Sequence, residues 1–233
     1  MDFLSFEQDL SRYIAQRLAD SKDGAHDYSH LVRVVNNARR IQQTEGGDLR
    51  VIITASYLHD IISLPKNHPE RKNGSRMAAE ETLRILRTEF PHFPATLYSA
   101  VSHAVAAHSY SAGITPETLE AKIVQDADRL DSLGALGLAR VFYVAGLMER
   151  PLFEPQDPFA FDRPLDDQSY TLDHFRVKLL GLPQTMHTVE GKRIARVNAA
   201  YLVDFLAKLA GELGADPLES DAKVRERLFS LHP

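Results

Sequence analysis

Apolar residues recur every three or four positions from one end of this chain to the other, and that one pattern leaves room for little except helices. Phe3, Phe6, Leu10, Ile14 and Leu18 form one such stripe, and Leu31, Val34, Val35, Ala38 and Ile41 a second. The same spacing predicts helices from about Leu49 to Ile62, from Arg76 through Leu86, and over Ala95 to Ala107, where Pro91, Pro94, Gly113 and Pro116 set the limits. Between Pro116 and Met148 a helical pattern opens on a proline suited to a first turn, with glutamates close behind it, and Gly134, Gly137 and Gly146 mark close packing or a break. Asp173 to Leu180 and Val189 to Leu213 resume the spacing, and Ile194, Val197, Tyr201, Phe205, Leu206 and Leu209 make the long final stripe. Alternating strand patterns and internal repeats are lacking. The stretch Arg150 to Tyr170, with four prolines and three phenylalanines, follows neither period and reads as a long packed loop near the mouth of a site, poised to close over a substrate.

The expectation is therefore an all-α, single-domain helical bundle over residues 1–233, with its core over about 20–215 and one long Pro/Asp-rich loop. With 44% hydrophobic and 25% charged residues the chain can bury a core and keep a solvated surface. It contains no cysteine, so disulfides, thiolate metal sites and cysteine nucleophiles are excluded, and a metal must rest on imidazole, carboxylate or carbonyl groups. The opening MDFLSFEQDLSRYIAQRL is interrupted too often by charge for a signal peptide, and no run approaches the ~20 apolar residues of a bilayer span. A cytoplasmic protein without membrane contact is expected. A net charge of −5 gives no general attraction to nucleic acid, while leaving room for a local basic pocket.

Three clusters of polar residues stand out against this apolar background. His59 and Asp60 interrupt VIITASYLHDII, a segment otherwise suited to burial, and an imidazole beside a carboxylate there needs partners, because a buried unpaired charge costs several kcal/mol. A metal ion satisfies both groups at once; a packed histidine next to a capping aspartate is the plain alternative. His26 and His30 sit four apart in HDYSH, where Asp27 also has the character of a helix cap. Asp126, Asp128, Arg129 and Asp131 crowd one apolar helix, IVQDADRLDSLGALGLARVF, in which 128 and 131 share a face and 126 points elsewhere.

Taken in order, His30, the His59-Asp60 pair and Asp128 resemble the H…HD…D pattern of the HD superfamily of metal-dependent phosphohydrolases. The segments AHDYSH, HDIISLPKNHPERKNGS, HSYS and QDADRLDSLGALGLAR are similar to its bacterial YedJ/YpgQ branch, over roughly residues 20 to 215. That resemblance implies nucleoside triphosphate pyrophosphohydrolase activity with Mn²⁺, and it carries the metal-ligand roles onto His30, His59, Asp60 and Asp128. Two imidazoles and two carboxylates suit Mn²⁺, Mg²⁺, Co²⁺, Ni²⁺ or Fe²⁺ and leave coordination positions for a metal-activated water, the nucleophile of this chemistry, and for substrate oxygens.

Phosphate contacts are expected from the basic stretch after the HD pair, chiefly Lys66, Asn67 and Arg71, with Arg33 on the His30 helix as a further candidate and His108, in HSYS, as a substrate contact. His26 resembles the leaving-group acid of cyclic-nucleotide phosphodiesterases. Many HD nucleotidases carry a glutamate three residues after the pair, where this chain has Ser63, so His26 or Asp27 is expected to take the catalytic proton-transfer role. A phosphodiesterase or nucleotide monophosphatase on the same site, a nucleotide-sensing protein without catalysis, and a bundle with no metal are the competing readings. The partner expected is a small nucleotide, with the oligomeric state, monomer or homodimer, left open.

Overall fold

In the computed structural model the described residues are 2–19, 27–62, 70, 73–109, 112–214, 222, 225 and 226. Among them nine α-helices run in the order α1 (Phe3–Arg17), α2 (Tyr28–Glu45), α3 (Leu49–Leu58), α4 (Gly74–Thr88), α5 (Tyr98–Ala107), α6 (Leu119–Leu130), α7 (Gly134–Leu147), α8 (Asp173–Val177) and α9 (Val189–Leu213), with no strand. Short 3₁₀ turns occupy Ala95–Leu97 and Leu179–Thr185. The chain divides into two compact units, residues 1–129 with 187–191, and residues 130–186 with 192–233.

In the first unit α3 is the central element. Its residues Val51 to Leu58 are all buried. A helix apolar on every side has to be surrounded, and α1, α2 and α5 pack against it. Asp2, Asp27 and Asp48 start α1, α2 and α3, each accepting a backbone N–H of the first turn (Ser5, His30 and Arg50), which satisfies an otherwise orphaned donor. The rings of Phe6, Phe90 and Phe93 meet at 5.5 and 4.9 Å, with Tyr13 5.6 Å from Phe90, and close α1 over the link between α4 and α5.

The third helix is shorter than its apolar run suggests. It stops at Leu58, and His59 is its C-cap, because the ring Nδ1 sits 2.8 Å from the Ser56 carbonyl and occupies an acceptor of the last turn. α6 likewise starts at Leu119 and not at Pro116: the Thr118 hydroxyl accepts the Ala121 N–H at 3.2 Å and sets the boundary. The pattern from Pro116 to Met148 is two helices. Gly134, at φ 69°, turns the chain between α6 and α7 in a conformation that L side chains rarely adopt.

In the second unit the rings of Phe142 of α7, Phe175 of α8 and Phe205 of α9 meet with centroids 5.7 to 6.3 Å apart. The Pro-rich stretch is irregular, as its sequence suggests, yet densely bonded. The Asp157 carboxylate accepts the backbone N–H groups of Phe161, Asp162 and Arg163, and Arg163 forms a two-pronged pair with Asp173 at 2.6 and 2.7 Å. No single helix among the described residues is long and apolar enough to cross a membrane.

Candidate metal centre

Four ligand-type side chains, separated by up to 98 positions in sequence, converge within the first unit. His30 enters from the first turn of α2, His59 and Asp60 leave the end of α3, and Asp128 projects from the last turn of α6. The His30 and His59 Nε2 atoms are 3.3 Å apart. Asp60 Oδ2 lies 3.7 Å from His30 Nε2 and 3.6 Å from His59 Nε2; Asp128 Oδ1 lies 3.6 and 3.7 Å from the same two atoms.

These spacings test the fit of an ion. Ligand atoms about 2.1 Å from one cation are separated by about 3.0 Å at a right angle and about 3.4 Å at a tetrahedral one, and the observed values lie at or just above that range. The donor chemistry agrees. With its Nδ1 engaged at the Ser56 carbonyl, His59 turns its Nε2 lone pair toward the other ligands. The group has one wet edge: the two imidazoles are essentially inaccessible, whereas the Asp60 and Asp128 side chains keep 22% and 28% exposure. Among the described residues, the accessible edge of the group is the carboxylate side.

His108 completes a second ligand group with His59 and Asp60. It is the C-cap of α5, its Nδ1 lies 2.6 Å from the Val105 carbonyl, and its Nε2 lies 3.4 Å from Asp60 Oδ1. Burial disfavours the charged ring, but the bond to Asp60 and its negative charge prevail and hold the His108 pKa above its ordinary value. His59, next to the same carboxylate, moves the other way because burial dominates. Asp60 lies well below the usual carboxylate range: burial opposes ionisation, and the charges of His59 and His108 overcome it.

The other residues singled out by sequence fall in different places. Asp27 caps α2: its Oδ1 accepts the His30 N–H at 3.0 Å and the Ser29 hydroxyl at 2.6 Å. Burial raises its pKa, but these bonds and the Arg33 charge bring the net value below normal. Arg33, one turn beyond His30, donates to the Ser29 hydroxyl at 2.8 Å. His26, Lys66, Asn67 and Arg71 lie outside the described residues. His103 points away and accepts the Glu117 N–H at 3.0 Å. Of the three clustered aspartates only Asp128 joins the group. Asp131 pairs with Arg140 at 2.7 Å, and Asp126 accepts the His187 and Thr188 N–H groups and the Thr188 hydroxyl at the start of α9.

Two supporting residues were not anticipated. Gln125 donates to the Ala107 carbonyl at 2.6 Å, fixing the end of α5 from which His108 projects, and Asn37 donates to the Ala127 carbonyl at 3.3 Å, tying α2 to the turn that bears Asp128. Gln125 left one sequence signal, an amide side chain in an apolar helix three residues before Asp128.

A family model described as the HD domain matches residues 27–133, a span that begins at the Asp27 cap and takes in all four converging ligands and His108. This chain carries an HD domain. The uncharacterized protein YpgQ of Bacillus subtilis is 27% identical over 217 residues, covering 91% of this chain and 96% of YpgQ. An HD-superfamily hydrolase from Bacillus thuringiensis shares 28% identity and a TM-score of 0.73, with 92% of this chain and all of that one covered. B. subtilis YpgQ in complex with ADP shares 26% identity and a TM-score of 0.70, covering 92% and 98% of the two chains. The HD domain over residues 27–133 and these HD-superfamily neighbours support a metal-dependent phosphohydrolase, and the chain as a whole is similar to YpgQ.

Proposed function

We propose that the chain hydrolyses nucleotides at a phosphoric anhydride, converting (deoxy)nucleoside triphosphates to monophosphate and pyrophosphate, with His30, His59, Asp60 and Asp128 holding one divalent ion, Mn²⁺ in preference to Mg²⁺, Co²⁺, Ni²⁺ or Fe²⁺. The observation that supports this reading is that the His30 and His59 Nε2 atoms lie 3.3 Å apart, with one oxygen each of Asp60 and Asp128 at 3.6 to 3.7 Å from both, an arrangement of donors that one cation would satisfy. The ADP bound by YpgQ supports a nucleotide as the ligand class.

When bound, the ion supplies Lewis acidity, neutralising phosphoryl charge and acidifying water near neutral pH. The chain does the rest. His59 and Asp60 are held in place by the end of α3, Asp128 by α6, and the buried imidazoles keep bulk water to the carboxylate edge. Water adds to the α-phosphorus and gives up a proton to solvent at the open edge, while the bond to the bridging oxygen breaks and that oxygen takes a proton as pyrophosphate leaves. Asp27 is held ionised as a helix cap, which suits it poorly to donate, so the proton falls to His26, four residues before His30 in sequence. Arg33, Lys66, Asn67 and Arg71 are the candidate phosphate contacts in this scheme, with His108 at the substrate edge beside Asp60. Cytoplasmic nucleotide pools fit the substrate.

Product analysis tests this reading directly. Incubation of the full chain with Mn²⁺ and a mixture of nucleoside triphosphates should release pyrophosphate and monophosphate in equal amounts. Release of orthophosphate alone, or hydrolysis of monophosphates or diesters in preference, would replace the reading with a phosphatase or phosphodiesterase on the same ligands. His26→Ala should lower kcat and leave Mn²⁺ affinity unchanged.

A further inference from the structure

Two neighbouring polar residues of the apolar helix α6 stand outside the ligand group, and both are turned to the short segment before α9. Gln125 and Asp126 are almost wholly buried. The Asp126 carboxylate accepts the backbone N–H groups of His187 and Thr188, which fixes the backbone from which the His187 ring rises. His187 is exposed, and its Nε2 lies 2.5 Å from Gln125 Oε1. On its other side Gln125 Nε2 lies 2.6 Å from the Ala107 carbonyl oxygen, which can only accept. That contact sets the direction of both bonds: the amide nitrogen donates to Ala107, so the amide oxygen accepts from His187 Nε2–H.

The peptide that Gln125 grips is the one that carries His108. Its N–H reaches the Val105 carbonyl at a long 3.4 Å, whereas its C=O takes the 2.6 Å bond from Gln125. A carbonyl in the last turn of a helix has no partner within the helix, and of the two bonds on this peptide the one from Gln125 is the shorter and stronger. The His108 ring then bridges two elements, with Nδ1 2.6 Å from the Val105 carbonyl and Nε2 3.4 Å from Asp60 Oδ1.

Asp60 divides its two oxygens. Oδ2 faces the His30 and His59 Nε2 atoms at 3.7 and 3.6 Å, and Oδ1 faces His108. The residue stands in the turn after α3, past the last helical position, so the direction of its carboxylate depends on what that carboxylate touches. Groups that orient a metal ligand in this way are commonly worth a factor of about ten or more in metal affinity.

We propose that Gln125 and His187 are positioning residues for the metal centre: His187 holds the Gln125 amide, the amide holds the peptide between Ala107 and His108, and His108 aims Asp60 Oδ2 at the ion. This rests on the metal reading above and extends it from the four ligands to an exposed histidine on the segment that leads into α9.

The test is calorimetric titration of the chelator-stripped full chain with Mn²⁺, for wild type, Gln125→Met, His187→Leu, His187→Gln, His108→Ala and the double variant Gln125→Met, His108→Ala. Gln125→Met keeps the length of the side chain and removes both bonds, and it should weaken Mn²⁺ about tenfold. His187→Leu should weaken it about threefold, because water can take part of the ring's place. His187→Gln, whose amide N–H can stand where Nε2–H stood, should retain wild-type affinity. Coupling decides the route: with His108 already replaced by alanine, Gln125→Met should cause no further loss of Mn²⁺ affinity while still lowering the melting temperature. A Gln125 with a purely structural role would lower the melting temperature and spare Mn²⁺ throughout. Unchanged Mn²⁺ affinity in Gln125→Met and His187→Leu, a fully additive loss in the double variant, or two ions per chain of which His108→Ala loses one, overturns the proposal. Should Gln125→Met fail to fold, the contrast between His187→Leu and His187→Gln decides in its place. A wild type that takes up no ion removes the metal reading and this proposal together. A wild type that binds Mn²⁺ in this Gln125-dependent way but hydrolyses no nucleotide retains the proposal and removes the catalytic reading alone.

Discussion

Two groups of acidic side chains in this molecule differ in one respect that separates function from architecture. Around Asp157 and Asp173 every carboxylate is met by a donor from the chain: three backbone N–H groups for Asp157, and for Asp173 the Arg163 fork together with the Asp166 N–H. Around His59 the gathering is of a different kind: the His30 and His59 Nε2 atoms lie 3.3 Å apart, and one oxygen each of Asp60 and Asp128 lies 3.6 to 3.7 Å from them, a grouping that one cation would satisfy. Both groups lie in buried or half-buried positions, so burial alone does not mark a site. What marks it is a gathering of ligand-type atoms from separate helices, in place of pairing with arginine or backbone donors.

That contrast can be broken or sharpened by substitution. The largest effect belongs to the His59 group: His59→Ala should lower kcat/KM for a nucleotide at least about a thousandfold, the scale of losing several kcal/mol of charge stabilisation, while circular dichroism shows a folded helical protein. Asp173→Ala should do the opposite, sparing catalytic turnover but costing about 3 to 5 kcal/mol of stability in denaturant titration, because it strands the Arg163 guanidinium in a mostly buried position. If Asp173→Ala abolished hydrolysis with little loss of stability, the division between the two groups would fail.

Adding Mn²⁺ separates them again. At a free concentration a hundred times its Kd, the ion should raise the unfolding free energy by about 2.7 kcal/mol in wild type and in Asp173→Ala, and by nothing measurable in His59→Ala. The smallest effect comes from a surface network that is paired but wet. Glu81 accepts from Arg84 at 2.7 Å and from Arg17 at 2.6 Å, and chiefly the Arg84 bond, with help from Arg17, takes its pKa from 4.5 to about 2. A carboxylate with a depressed folded-state pKa stabilises above its unfolded value and loses that contribution as pH falls. Glu81→Gln should therefore cost about 1 kcal/mol at neutral pH, after allowance for solvent screening, and the deficit should disappear between pH 4.5 and about 2.

Much of the converging His/Asp cluster was legible because it violates the helical pattern around it. His59 and Asp60 stand where the spacing calls for apolar residues, and Asp128 stands inside an apolar helix, so a reader of periodicity alone is drawn to them. Their identity as one set came from the order in which they resemble the HD pattern, since residues on three helices carry no sign of convergence. The helix boundaries were less legible. Pro116 looks like a first turn, but the hydroxyl of Thr118 wins, and His59 ends α3 early by bonding back to Ser56. The three aspartates near 128 show the limit most clearly: face geometry separates 126 from 128, but 128 and 131 share a face, and only the distant Arg140 decides that Asp131 is structural.

The central claim is that the chain brings two imidazoles and two carboxylates together for the sake of one cation. Titration of the chelator-stripped full chain with Mn²⁺ tests it most directly, read by calorimetry and confirmed by elemental analysis. The account predicts one tightly held ion per chain and none in a His30→Ala, Asp128→Ala double variant that remains folded. A wild type that takes up no ion, or a double variant that takes it up as well as wild type, would contradict it.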